Sequence, residues 1–187
     1  MRHTGTQRLE TARLILRRFR VEDAEAAFRN WTGDPEVTAY LTWRTHADVR
    51  ITRRVIEDWI GAYPQPDFYQ WAIEPKDVGE PVGSISVVRL NEDIGECELG
   101  WCLGRAWWGR GVMPEAARAV TGFLFRQVGA NRVAARHAVG NEKSGRVMQK
   151  LGMTREGLLR QASRSNQGLE DVVLYAVLAG EFRMNAE

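Results

Sequence analysis

The stretch that most limits how this chain can fold is residues 96–125, ECELGWCLGRAWWGRGVMPEAARAVTGFLF. It reads as a strand over about 96–103, a loop containing Gly109 and Gly111, and a helix opened by Pro114. Glycines let a backbone approach a bulky anion closely. The first turn of a helix adds unpaired N–H groups that carry a partial positive charge. Strand, glycine loop and helix start together predict a main-chain cradle for a phosphate.

The flanking segments supply a frame for that unit. Thr11 to Phe19 alternates as a first strand, and Ala24, Ala27, Phe28 and Trp31 follow at helical spacing. Asp34-Pro35 breaks that helix and starts a short new one, with Asp34 as N-cap. A longer helix is predicted over 47–63, where Thr52, Val55, Ile56, Trp59, Ile60 and Tyr63 trace one face before Pro64 and Pro66. FYQWAIE (68–74) and 82–88 read as a hairpin around Gly79. Beyond the opening unit, Gly129 ends its helix, 132–139 is a strand, 141–151 a helix stopped by Gly152, and 153–164 and 171–178 a final strand pair around SNQG. The expected architecture is a mixed α/β sheet with helices packed on it.

At 187 residues the chain fits one domain, and a net charge of +2 gives no argument for nucleic acid or an anionic membrane. No apolar run approaches the roughly 18–20 residues a membrane helix needs. Residues 1–8 are polar and expected to fray, 9–182 to form the domain, and 183–187 to be a tail. Cys97 and Cys102 share a strand at odd spacing, which points them to opposite faces and argues against a disulfide. Two thiols without nearby histidines make no metal site, so a reduced, cytoplasmic protein is expected.

Three phosphate-binding patterns compete for the loop. G-x-x-x-x-G-K-S/T fails because Val112 and Met113 follow Gly111, and a dinucleotide G-x-G-x-x-G fails because Glu115 stands at the third glycine. The third is Q/R-x-x-G-x-G/A. Trp108-Gly109-Arg110-Gly111-Val112-Met113-Pro114-Glu115-Ala116 resembles its W-G-K/R-G-Y-A-T-E-A form, with Met113 in place of a small residue and Pro114 lacking an N–H. About 30 residues on, NEKSGRVMQKLGM (141–153) resembles N-x-x-S-x-R-V-L-x-K-L-G-F, and TARLILR, WTGDPEVTAYL and EDVVLYAVL match the same group. From about Leu9 to Phe182 the chain therefore resembles the GNAT superfamily of N-acetyltransferases in its Rim-type branch, the ribosomal-protein N-terminal acetyltransferases.

That resemblance implies the GNAT fold, a splayed, mostly antiparallel sheet of about seven strands and about four helices. It also implies acetyl-CoA as acyl donor and no metal. The backbone of Gly109, Arg110, Gly111, Val112 and Met113 would hold the diphosphate beside Trp108, with Arg110 adding charge. Trp101, Cys102 and Leu103 would pair with the pantetheine arm, and a free N–H near Leu103 would stabilise the oxyanion. For general base the resemblance points to Glu98, which the residues alone also allow as a polar-face or structural carboxylate. Met148 stands where many members carry an acidic tyrosine, leaving Ser144 as donor to the thiolate and CoA contact, with Asn141 binding the cofactor; both also fit a helix cap. Ser163 stands near the place of a second carboxylate found in some ribosomal-protein enzymes. Asp171 is a possible substitute that also fits the turn, and His137 reads as a strand histidine. Tyr40 and Trp43 are the acceptor-site candidates, although aromatic residues of such helices also serve as core. The implied acceptor is a primary amine, either a protein N-terminus or a small molecule. A catalytically inactive acyl-CoA sensor is the alternative of another class, and a homodimer is compatible with the resemblance.

Overall fold

A computed structural model of the chain describes residues 1–183. Its frame is one eight-stranded sheet in the order β1-β2-β3-β4-β5-β6-β8-β7. The strands are β1 (Leu9–Glu10), β2 (Leu14–Arg17), β3 (Gln70–Pro75), β4 (Gly83–Asn91), β5 (Glu96–Leu103), β6 (Arg132–Ala138), β7 (Thr154–Ser165) and β8 (Gly168–Leu178). Every neighbouring pair is antiparallel except β5 and β6, which are parallel. Five α-helices accompany it: α1 (Ala24–Ala27), α2 (Pro35–Thr38), α3 (Val49–Ala62), α4 (Val112–Phe123) and α5 (Glu142–Lys150). Against about seven strands and about four helices expected, the eighth strand is β1, which lies ahead of the expected first strand at Thr11 to Phe19, and the fifth helix is a single-turn one.

Helix starts follow the capping signals. Asp34 accepts a hydrogen bond from the Glu36 N–H with Pro35 at the first helical position, and Asp48 caps α3 through the Arg50 N–H. Asn141 caps α5 by accepting from the Ser144 N–H. Gly129, at φ +76°, ends the turn that extends α4.

The pleat sorts β5 onto two cores. Cys97, Leu99 and Leu103 join the cluster under α4 and α5 that includes Trp71, Ile85, Val120, Phe123, Val133 and Met148. Cys102 packs against a second cluster of Phe19, Ala27, Trp31, Ile56 and Ala72 under α1 and α3. Both cysteines are free. Burying side chains as large as Trp31, Trp71 and Phe123 is what fixes the helices to the sheet, at about 1.5–3 kcal/mol per large apolar side chain.

Residues 1–8, expected to fray, lie against the sheet. Thr6 is buried, its hydroxyl donating to Phe68 O (3.0 Å) and accepting from the Gln70 N–H (2.9 Å), while Trp71 Nε1 donates to Gln7 O at 2.6 Å. Of the expected tail, Arg183 O accepts from Arg118 Nη1, and 184–187 lie outside the described residues.

The feature that positions a site is the parting of β5 and β6. Their pairing ends at Leu99↔Ala135, yet β5 continues to Leu103 along β4, and β6 continues to Ala138 along β8. A bulge between Val87 and Arg89 in β4 lies beside this point, where an extra residue adds twist.

Candidate active site

The gap between the two strands opens into a cleft of about 780 Å³, within the usual range for small-molecule sites. One wall is β5, the glycine loop and the start of α4. The other is the β6–α5 loop and the first turns of α5.

The end of β5 presents backbone to this gap. Gly104 N–H donates to Val82 O at 2.8 Å, and Val87 N–H turns to Tyr69 O just before β3. The antiparallel alternation therefore points the peptide groups of Cys102 and Gly100 at β4 and those of Trp101 and Leu103 at the side β6 has left. The Leu103 carbonyl already accepts from Trp108 Nε1 at 2.7 Å, which fastens the loop to the strand. The groups of Trp101 and the Leu103 N–H have no strand partner there.

The helix after the loop opens at Val112, two residues before the Pro114 expected to open it. Gly109 and Gly111 sit at φ +76° and +75°, the left-handed region that side chains disfavour. Gly111 is the N-cap of α4, and no side chain caps that helix start. Its first N–H groups keep their hydrogen-bonding capacity, apart from Pro114, which has none. Trp108, Gly109, Gly111, Val112 and Met113 line the cleft. Arg110 does not; its guanidinium lies 5.3 Å from the Trp107 ring centroid. Across the gap, Asn141, Lys143, Ser144, Arg146 and Lys150 line α5, and Lys143 Nζ stands 3.7 Å from the Trp108 ring centroid. Backbone donors flanked by cations fit a polyanionic ligand. Among the described residues no cluster of potential metal ligands occurs.

Ser144 faces the cleft, and among the described residues its hydroxyl has no protein partner. Met148 is buried beneath it in the core. His137 is held beside α5: Nδ1 donates to Ala138 O (2.8 Å), and Nε2 abuts Gly145, where a Cβ would meet it at 2.8 Å. Asp171 accepts from the Gln161 N–H (2.8 Å), supporting a β7 bulge where Gln161 has φ +47°, and Ser163 pairs with Glu170 in the last hairpin.

Glu98 lies on the sheet face opposite α4, one residue before the last β5–β6 pair. It is 5% exposed and held between two guanidiniums: Arg89 Nε donates at 2.9 Å and Arg136 Nη2 at 2.8 Å. Arg136 Nε, 2.6 Å from Oε1, is off line for a hydrogen bond. Burial pushes the Glu98 carboxyl up, Arg89 pulls it down and Glu96 adds to the rise; the net direction is upward. Glu98 does not line the cleft itself, and this embrace by Arg89 and Arg136 was hidden from sequence, because it needs three strands in register.

The two acceptor candidates separate. Tyr40 lines the cleft with its hydroxyl against Gly140, where a Cβ would approach it to 2.8 Å, so the α2–α3 loop touches the opposite wall. Trp43 packs on the second core cluster and lies 5.1 Å from the His46 ring centroid. Helical and loop aromatics look alike in sequence, and only packing distinguishes them. Asn166, in the last hairpin turn, was missed: its side-chain amide donates to Thr38 O and Trp43 O, both at 2.8 Å. Also missed were Glu36, Val37 and Leu41, which line the same end.

Comparison with known proteins agrees with this geometry. Residues 13–154 match an acetyltransferase (GNAT) domain. The uncharacterized N-acetyltransferase p20 of Bacillus licheniformis is 30% identical over 174 residues, covering 93% of this chain and 97% of that protein. A GNAT-family acetyltransferase from Bacillus anthracis superposes with a TM-score of 0.83 at 26% identity, over 94% of this chain and 100% of the other. The same fold is found in RimL, a ribosomal L7/L12 alpha-N-protein acetyltransferase solved with coenzyme A (TM-score 0.81, 20% identity, 92% and 98% covered). No described helix is long and apolar enough to cross a membrane.

Proposed function

The chain belongs to the GNAT family of acetyltransferases, and from that premise we propose that it moves an acetyl group from acetyl-CoA to a primary amine, with a protein N-terminal α-amino group as acceptor. The observation that carries the donor half is the cleft floor: unpaired backbone of Trp101 and Leu103 leading to an uncapped, doubly left-handed glycine loop. The acceptor class is supported by the likeness to Rim-type enzymes such as RimL. The two free thiols are in keeping with a reducing, cytoplasmic setting.

Each residue then has a task. Backbone N–H groups of Gly109 to Met113 bind the diphosphate, and Lys143, Arg146 and Lys150 add positive charge from the opposite wall. The peptide groups of Trp101 and Leu103 align the pantetheine arm, and the Leu103 N–H supports negative charge developing on the acyl oxygen. The donor supplies an activated thioester. Ser144 offers its hydroxyl hydrogen to the departing sulfur, and Asn141 holds the helix turn that carries it. Glu98 accepts the ammonium proton through water from the acceptor face, and Arg89 and Arg136 fix its carboxylate. Tyr40 borders the amine.

Thiol release from acetyl-CoA, measured with peptides of free N-terminus and with small primary amines, tests this reading. Peptide-dependent release with an acetylated α-amine in the mass spectrum is expected. Release with small amines alone would move the acceptor to that class. CoA binding without release on any amine, unchanged by Glu98→Gln or Ser144→Ala, would make the domain a sensor.

A further inference from the structure

The glycine loop does not hold itself. Two left-handed glycines leave its peptide planes free to rotate, because neither residue carries a Cβ to bias φ, and no side chain of α4 caps the helix start. It is held from behind by the bend between β1 and β2. Arg13 Nη1 donates to the Arg110 carbonyl at 3.0 Å, while Arg13 Nε and Nη2 both reach Glu115 Oε2 at 2.6 Å. The Arg13 N–H (3.0 Å) and Thr11 Oγ1 (2.6 Å) donate to the other carboxylate oxygen. Glu115 lies in the first turn of α4, so one guanidinium ties the loop carbonyl to the helix that follows it. The loop rides directly over Arg13: a Cβ on Gly111 would stand 3.4 Å from Nη2.

The peptide bond after Arg110 is trans and planar, so its C=O and N–H point in opposite directions. With the Arg110 carbonyl fixed on Arg13, the Gly111 N–H is turned the other way, and Gly111 lines the cleft. A flip of this peptide would offer a carbonyl oxygen to an anionic ligand in place of a donor. The same contacts occupy both oxygens of Glu115, a carboxylate near the anion cradle. Burial alone would raise its pKa, yet the hydrogen bonds from Thr11 and Arg13 hold it below the usual glutamate range. Arg13 is 54% exposed, so its charge is screened and its effect lies mainly in the geometry it imposes.

We propose that Arg13 is a positioning residue for the acyl donor: through the Arg110 carbonyl and Glu115 it sets the peptide orientation that aims the Gly111 N–H at the diphosphate. This rests on the acetyl-CoA reading above and goes beyond it by assigning a role to a residue outside the cleft.

Steady-state kinetics of Arg13→Leu and Arg13→Lys with two donors, acetyl-CoA and S-acetylpantetheine, provide the test, with thermal unfolding of each variant alongside. S-acetylpantetheine lacks the diphosphate. Arg13→Leu should raise KM for acetyl-CoA about tenfold with kcat within about twofold, leave kcat/KM for S-acetylpantetheine unchanged, and be partly restored in Arg13→Lys. An unchanged acetyl-CoA KM overturns the proposal, as does an equal loss with both donors, which would mark Arg13 as purely structural. Wild-type protein that fails to bind CoA in a titration would overturn the donor reading itself, and the role of Arg13 with it.

Discussion

The proposed donor wall and the proposed acceptor end of the cleft are built differently. The donor wall presents backbone: the unpaired strand end at Trp101 and Leu103, two left-handed glycines and an uncapped helix start, all within residues 101–113. The acceptor end is made by side chains from segments far apart in the chain. Tyr40 reaches Gly140, and Asn166 staples the last hairpin turn onto the carbonyls of Thr38 and Trp43. Backbone recognition depends on chain conformation and tolerates variation in side chains, whereas an end made of side-chain contacts changes with each of them. One fold can therefore keep a donor and change its acceptor.

Substitutions that act on one side alone sharpen this contrast. The largest effect is expected at the chemistry between the walls: Glu98→Gln should lower kcat by about 10²–10⁴, the usual contribution of general acid–base catalysis. Only the carboxylate form can take up a proton, and burial raises the Glu98 pKa. The wild-type pH–kcat/KM profile should therefore fall on the acid side at a pH above the ordinary glutamate range, and Glu98→Gln should lose that limb. A profile unaltered by the substitution would remove Glu98 as base.

On the donor wall, Gly111→Ala places a Cβ on a residue at φ +75°, at a cost of roughly 1–2 kcal/mol, so KM for acetyl-CoA should rise about tenfold with the acceptor KM unchanged. On the acceptor end, Asn166→Ala removes two hydrogen bonds of roughly 1 kcal/mol each and should raise the acceptor KM several-fold, leaving that for acetyl-CoA alone. Equal movement of both constants in either variant would break the proposed division. Ser144→Ala should have the smallest effect, a several-fold loss of kcat, because a hydroxyl is a weak acid and contributes a single hydrogen bond.

The same division explains what could be read from sequence. Gly109, Gly111, Pro114 and Asn141 are punctuation marks with local causes, namely left-handed φ, a first helical turn and a cap, and their spacing places the glycine loop and the starts of α4 and α5. The two faces of β5 were legible from period-two alternation, which puts Cys97 and Cys102 in different cores. Trp43 was not legible: aromatic character fits pocket and core equally, and it is half-buried against the second cluster, outside the cleft lining. The Arg13–Glu115 latch spans 102 residues and the Asn166–Thr38 contact 128, so no local pattern encodes either. Glu98 was found on its strand, but its two arginines lie on neighbouring strands, where a bulge sets the register. Residues 1–8 looked free because their polar side chains hide the backbone and hydroxyl bonds that bind them to β3 and the residues before it.

The central claim is that this chain grips its donor by main-chain atoms, and a crystal structure with coenzyme A tests it most directly. The expected result has diphosphate oxygens about 3 Å from N–H groups between Gly109 and Met113, including that of Gly111, and the pantetheine arm paired along Trp101 and Leu103. Coenzyme A held away from the gap between β5 and β6, or with its diphosphate contacted by side chains alone, would contradict it.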